Sequence, residues 1–157
     1  MMRPRLLILL ALVLAAVVLG ACGGDDDSSD SVETVSKAEF IEMADAICTA
    51  NDEAQGQLQA DLQSAADPEA AAGIYDQLAD QSDAVIAEIQ ALPKPAGEEE
   101  AIDQLAATQT EGVALVRELA AAVRDNDQAA GEDVISQLQQ NAAEGDESDQ
   151  AFGFQVC

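Results

Sequence analysis

Four stretches of this chain repeat apolar residues at steps of three and four, and three short breaks separate them. That spacing matches the 3.6-residue turn of an α-helix and puts each apolar set on one face, so the chain reads as amphipathic helices that must bury those faces against one another. No run alternates apolar and polar residues in the manner of a half-buried strand. The first stripe is Phe40, Ala44, Ile47, Cys48, Asn51, Ala54, Leu58 and Leu62. The second is Ile74, Leu78, Val85, Ile86, Ile89 and Leu92, and the third runs through Ile102, Leu105, Ala106, Gln109, Val113, Val116, Leu119 and Val123. The fourth, Val134, Ile135, Leu138 and Ala142, is the weakest, and Gly145 is expected to kink or end its helix before Ala151.

The breaks carry their own chemistry. Ser36 followed three residues later by Glu39 is a capping box that starts the first helix. In Asp67-Pro68-Glu69, Asp67 caps the second helix, Pro68 takes its first position and Glu69 complements the helix dipole. Leu92-Pro93-Lys94-Pro95-Ala96-Gly97 cannot be helical, because proline lacks the amide hydrogen and restricts the residue before it. Glu98, Glu99 and Glu100 then load the start of the third helix, and Asn126 or Asp127 caps the fourth. Short connections between long helices make sequential neighbours antiparallel. The expected fold is all-α: an up-down-up-down four-helix bundle over residues 37–157, following a lipoprotein signal peptide and an acidic tether. With Phe40, Tyr75, Phe152 and Phe154 as its aromatics, its core is alanine-rich and thin.

Residues 1–21 read as the signal peptide. Arg3 and Arg5 form a positive n-region, and residues 6–19 form an unbroken apolar run shorter than the roughly 20 residues a membrane span requires. Leu19-Gly20-Ala21-Cys22 then has the shape of a lipobox, so Cys22 is expected to become the lipidated first residue of the mature protein. The expected location is therefore the cell membrane, lipid-anchored, on the extracytoplasmic face. Residues 22–36 hold Cys22 and a tether, Gly-Gly-Asp-Asp-Asp-Ser-Ser-Asp-Ser-Val-Glu-Thr-Val-Ser, whose like charges extend it to a reach on the order of 45 Å.

The chain has 6 Lys and Arg residues against 31 Asp and Glu, and no His. Removing the leader takes away Arg3 and Arg5 and leaves Lys37, Lys94, Arg117 and Arg124, too few and too scattered for a nucleic-acid-binding face. Anionic headgroups repel such a domain, so membrane attachment falls to the lipid on Cys22.

Without histidine, the commonest general base and the usual zinc, copper and haem ligand are missing, and no nucleotide loop or haem attachment motif is present. No catalytic residue, cofactor or tight metal site is expected. Asp76, Asp80 and Asp83 read as a solvated face of the second helix, and Arg117 and Arg124 as surface ion pairs with Glu111, Glu118 and Asp127.

With Cys22 lipidated, Cys48 and Cys157 remain as an even pair in an oxidising compartment. Antiparallel order returns the end of the fourth helix to the start of the first, and the stretch Phe152-Gly153-Phe154-Gln155-Val156-Cys157 is long enough to fold back to Cys48. A disulfide between Cys48 and Cys157 is expected, with Phe152 and Phe154 packing on the Phe40, Ala44 and Cys48 face.

Ser36-Lys37-Ala38-Glu39-Phe40-Ile41 with Ala44-Asp45-Ala46-Ile47-Cys48, then Leu92-Pro93-Lys94-Pro95-Ala96-Gly97-Glu98-Glu99, then Gly153-Phe154-Gln155-Val156-Cys157, resembles a family of uncharacterised actinobacterial secreted proteins and lipoproteins. The resemblance covers residues 36–157 and implies a small helical domain with one cysteine in its first helix and one at its C-terminus. It implies no activity.

Two function classes follow. The first expectation is a membrane-anchored, non-catalytic interaction or structural module that contacts an envelope protein or a wall component. The alternative is an extracytoplasmic binding module for a cation or small ligand. A closed, alanine-tight core favours the first, and an internal cavity with converging carboxylates favours the second.

Overall fold

Serine and aspartate side chains cap the starts of the first, second and fourth helices. The computed structural model describes residues 35–157, so the signal peptide, Cys22 and the tether through residue 34 lie outside the described residues. Helix α1 is Lys37–Gln63, α2 is Pro68–Gln90, α3 is Glu99–Arg124 and α4 is Gln128–Phe152, and the fold among the described residues is all-α. At the start of α1 the Glu39 amide donates to Ser36 Oγ at 3.3 Å, and the Ser36 amide donates back to Glu39 Oε2 at 2.8 Å. These bonds favour the ionised carboxylate and hold Glu39 below the usual carboxylate range, the side-chain bond to Ser36 contributing most. Asp67 accepts from the Ala70 amide at 2.8 Å, with Pro68 at the first helical position. Asp127, rather than Asn126, caps α4 by accepting from Ala130, while Asn126 turns the chain with φ 54°.

Cross-helix partners fix the directions. Gln81 of α2 reaches the Asn51 carbonyl of α1, Arg117 and Arg124 of α3 reach Asp83 and Asp76 of α2, and Asn141 of α4 reaches the Thr108 carbonyl of α3. The third and fourth helices therefore pair in the antiparallel sense, as do the second and third. Packing joins α1 to α2, α2 to α3 and α3 to α4, but no Cα atoms of α1 and α4 approach within 8 Å. The bundle is open along that seam.

This corrects two expectations about the stripes. Only the first half of the α1 stripe is core: Phe40 and Ala44 are buried, Leu58 and Leu62 are half-buried and Ala54 is exposed. Beyond Asn51, α1 has only α2 to lie on, so a full stripe has half a partner. Gly145 neither kinks nor ends α4, which continues to Phe152. The residue is buried against α3, where a Cβ would meet Gln109 Nε2 at an ordinary contact distance of 3.5 Å.

Two separate cores result. Phe40, Ala44, Ile102 and Phe152 form the first, with Ile41, Ile89, Leu92, Leu105 and Phe154 packed against it. Leu115, Leu119 and Val134 form the second, with Tyr75, Val123 and Leu138 around them. Gly153 ends α4 at φ 112°, a left-handed conformation that glycine adopts without strain, and turns the chain back toward α1.

Candidate functional site: a cleft between the two cores

The separation of the cores leaves a cleft of about 530 Å³, within the range of small-molecule sites. Its floor is aliphatic. Val85, Ile86 and Ile89 of α2 and Leu105 and Val116 of α3 line it and remain half-buried, although the sequence pattern marks them as core. Asp52 and Gln55 of α1 and Ala142 and Asp146 of α4 are exposed members of the lining, so the cleft opens toward the seam those helices leave unpacked, with Gln90, Gln109 and the tail residues Val156 and Cys157 also exposed along it. Ile102 at one end and Val116 toward the other are both on α3, which makes the cleft about 20 Å long at 1.5 Å per helical residue.

The chain's last residues wall one end. Cys48 and Cys157 are paired as a disulfide with Cα atoms 5.4 Å apart, and both line the cleft together with Phe154 and Val156. The Phe40 ring meets Phe152 edge-on at 6.0 Å and Phe154 at 6.3 Å. Asp45, one turn before Cys48, accepts from the backbone amides of Gln155, Val156 and Cys157 at 3.1, 3.1 and 3.2 Å. The expected pairing and packing of this stretch are thus present in the structure. Asp45 was not expected from the sequence, because a helical aspartate gives no sign of which distant amides it will meet.

Amides and carboxylates make up most of the polar lining of the cleft. Asn51 donates its amide to the Ile47 carbonyl at 2.8 Å, Asn141 to the Thr108 carbonyl at 3.0 Å and Gln109 to Asp149 Oδ2 at 3.1 Å. A Cβ on Gly112 would lie 2.6 Å from Asn141 Oδ1, so a side chain there requires the Asn141 amide to shift. Asp52, Asp146 and Asp149 add carboxylates to the same lining. Burial raises Asp149 above the usual carboxylate range and Asp146 adds to the rise, against the smaller opposing effect of the Gln109 bond.

A raised acid pKa means that ionising Asp149 is less favourable in the folded chain than in the unfolded one, so its stabilising contribution is present in acid and lost as pH rises through the folded value. Asp149→Asn is therefore expected to raise the melting temperature at pH 7, and thermal melts should show the gain vanishing as pH falls below that range.

No basic side chain lines the cleft. Arg117 bonds Asp80 and Asp83 of α2 at 2.8 and 2.7 Å, and Arg124 bonds Asp76 at 2.7 Å and approaches Glu69 at 3.5 Å. These aspartate bonds raise both guanidinium pKa values. The expected partners Glu111, Glu118 and Asp127 are corrected accordingly: those residues share α3 or follow it, whereas the second helix presents Asp76, Asp80 and Asp83 across the α2–α3 seam. Lys37 pairs with Glu98 at 3.2 Å and sits 4.1 Å from the Phe152 ring centroid, and Lys94 pairs with Asp103. Among the described residues no three His, Cys, Asp or Glu side chains gather to hold a metal ion, and no helix is long and apolar enough to cross a membrane.

Fold and site together define an all-α four-helix bundle with an apolar cleft whose charged lining residues are all carboxylates. No family model, curated protein or solved structure matches the chain.

Proposed function

We propose that this protein is a lipid-anchored extracytoplasmic binding module that takes a small, largely apolar ligand into the cleft between its helices, without catalysing a reaction on it. The observation that carries this reading is the cleft itself: Val85, Ile86 and Val116, which the sequence pattern marks as core, stay half-buried along a space of about 530 Å³, and Ile89 and Leu105 continue its lining at the edge of the first core. Protein interiors ordinarily pack to crystal-like density, so aliphatic side chains from two helices facing a common void are either a cost to stability or a site. The disulfide and the Asp45 contacts hold one wall of that space in place, which supports a preformed site. A module acting only through its outer surface, the other reading of the sequence, would have no need of the void.

Titration with the neutral fluorophore N-phenyl-1-naphthylamine tests the binding reading. One saturable site per chain is expected, and Ala142→Trp on α4 and Val116→Trp on α3 should each abolish it while far-ultraviolet circular dichroism stays helical. Unsaturable binding, or binding indifferent to both tryptophans, would contradict the reading.

The membrane address rests on Leu19-Gly20-Ala21-Cys22 and the apolar run before it. Cys22→Ser is expected to shift the protein from the membrane fraction to a released or unprocessed form, and mass spectrometry of the mature N-terminus should find lipid on Cys22. An unmodified Cys22, or a mature chain starting elsewhere, would end this part of the proposal. Membership of the actinobacterial family is likewise proposed, on the quoted motifs alone.

A further inference from the structure

The chemistry of the cleft selects among apolar ligands by charge. Its floor offers only aliphatic surface, and above it the Asn51, Asn141 and Gln109 amides are turned to partners within the protein. The charged groups it presents to a ligand are all carboxylates: Asp52 on α1 and Asp146 and Asp149 on α4. Those helices flank the opening, so the acceptors sit where the polar end of an inserted molecule would emerge. All four basic side chains of the described residues are held in ion pairs away from the lining. A ligand with an anionic head would place like charge against Asp146 and Asp149 with no cation to compensate. A neutral alcohol would find acceptors but no opposite charge.

We propose that the cleft is a site for a cationic amphiphile, an unbranched or slender apolar body of up to about 20 Å whose ammonium or similar head lies at Asp146 and Asp149. The body fills the aliphatic floor, and the head supplies the positive charge that the rim lacks. Charge-assisted bonds from an ammonium to a carboxylate are stronger than neutral ones, which makes the head the source of selectivity and the chain the source of affinity. This inference rests on the binding reading above and goes beyond it by assigning the class of ligand.

The probes are three ten-carbon molecules that differ only in the head: decylamine, protonated at pH 7, decanol and decanoate. Calorimetry below their aggregation concentrations, in 0.5 M NaCl to screen the chain's overall negative charge, isolates the local carboxylates. Decylammonium is expected to bind at one site per chain about tenfold more tightly than decanol, with decanoate weaker still. Asp146→Asn with Asp149→Asn should bring decylammonium and decanol to similar affinity. The control pair Glu132→Gln with Asp133→Asn removes the same charge from exposed positions of α4 outside the lining and should leave the preference intact. Equal binding of all three probes, or a preference that survives the Asp146 and Asp149 changes, would overturn the cationic-head proposal while leaving the binding reading standing. Failure of all three to bind would remove both.

Discussion

Reducing the bond between Cys48 and Cys157 is expected to lower the melting temperature by on the order of 15 °C. The bond closes a loop with a sequence separation of 109 residues. On the chain-entropy model, opening a loop of that size costs about 4 to 5 kcal/mol, a large share of what a domain of this length has in total. Two features of the structure sharpen the expectation. Helix α1 packs along α2, and beyond the contacts of Lys37 and Phe40 in its first turns the tail that the bond secures is its other attachment to the body. The amides that Asp45 binds, those of Gln155, Val156 and Cys157, are adjacent to the bond and lose their fixed geometry with it. Cys48→Ser, Cys157→Ser and the double change should cost nearly the same, because each removes one and the same cross-link. Differential scanning calorimetry of the three variants, with non-reducing peptide mapping of the protein isolated from its native host, checks both points. Two free thiols in that protein, or single variants whose losses add, would contradict the account of the tail.

Phe40→Ala carries the second large effect. Phe40 is 0% exposed and is the largest fully buried side chain, meeting Ile102 of α3, Phe152 at the end of α4 and Phe154 of the tail. Truncating a buried phenylalanine removes its transfer free energy and leaves a cavity, about 3 to 5 kcal/mol together. Here the ring is also the point where α1, α3, α4 and the tail converge, so neighbours cannot close the hole without moving a helix. Chemical denaturation should show the midpoint falling with little change of slope. Phe154→Ala, at a half-buried position, should lose distinctly less. Equal losses at the two positions would mean that the first core is not centred on Phe40.

Most of the architecture is legible in the sequence because its signals are local. Ser36 with Glu39, Asp67 with Pro68, and Asp127 act within a turn of themselves, and the helix starts they mark are the observed ones. The return of the chain to Cys48 is also legible, since helix number and helix length alone place the two ends side by side. The cleft is not, because a stripe reports which face of a helix is apolar and not whether another helix covers it. Val85 and Val116 look the same in the sequence as Ile102, yet Ile102 is buried by Phe40 and Phe152 while the other two face open space. The same limit hid the partners of Arg117 and Arg124: neighbours in sequence were the nearest carboxylates to propose, whereas the α2–α3 register brings Asp76, Asp80 and Asp83 across instead. Gly145 reads as a weak point of its helix, yet α4 runs on through it and the residue is buried at the α3–α4 contact.

The central claim is that the space between the two cores is a binding site. Two-dimensional NMR of the folded domain titrated with decylamine at 0.5 M NaCl tests it most directly. The account predicts saturable shifts at one ligand per chain, largest for the methyl groups of Val85, Ile86 and Val116 and for the side-chain amides of Gln109 and Asn141, with the exposed far ends of α1 and α4 unmoved. Shifts that never saturate, or that spread over the outer acidic faces while those methyl groups stay in place, would contradict it.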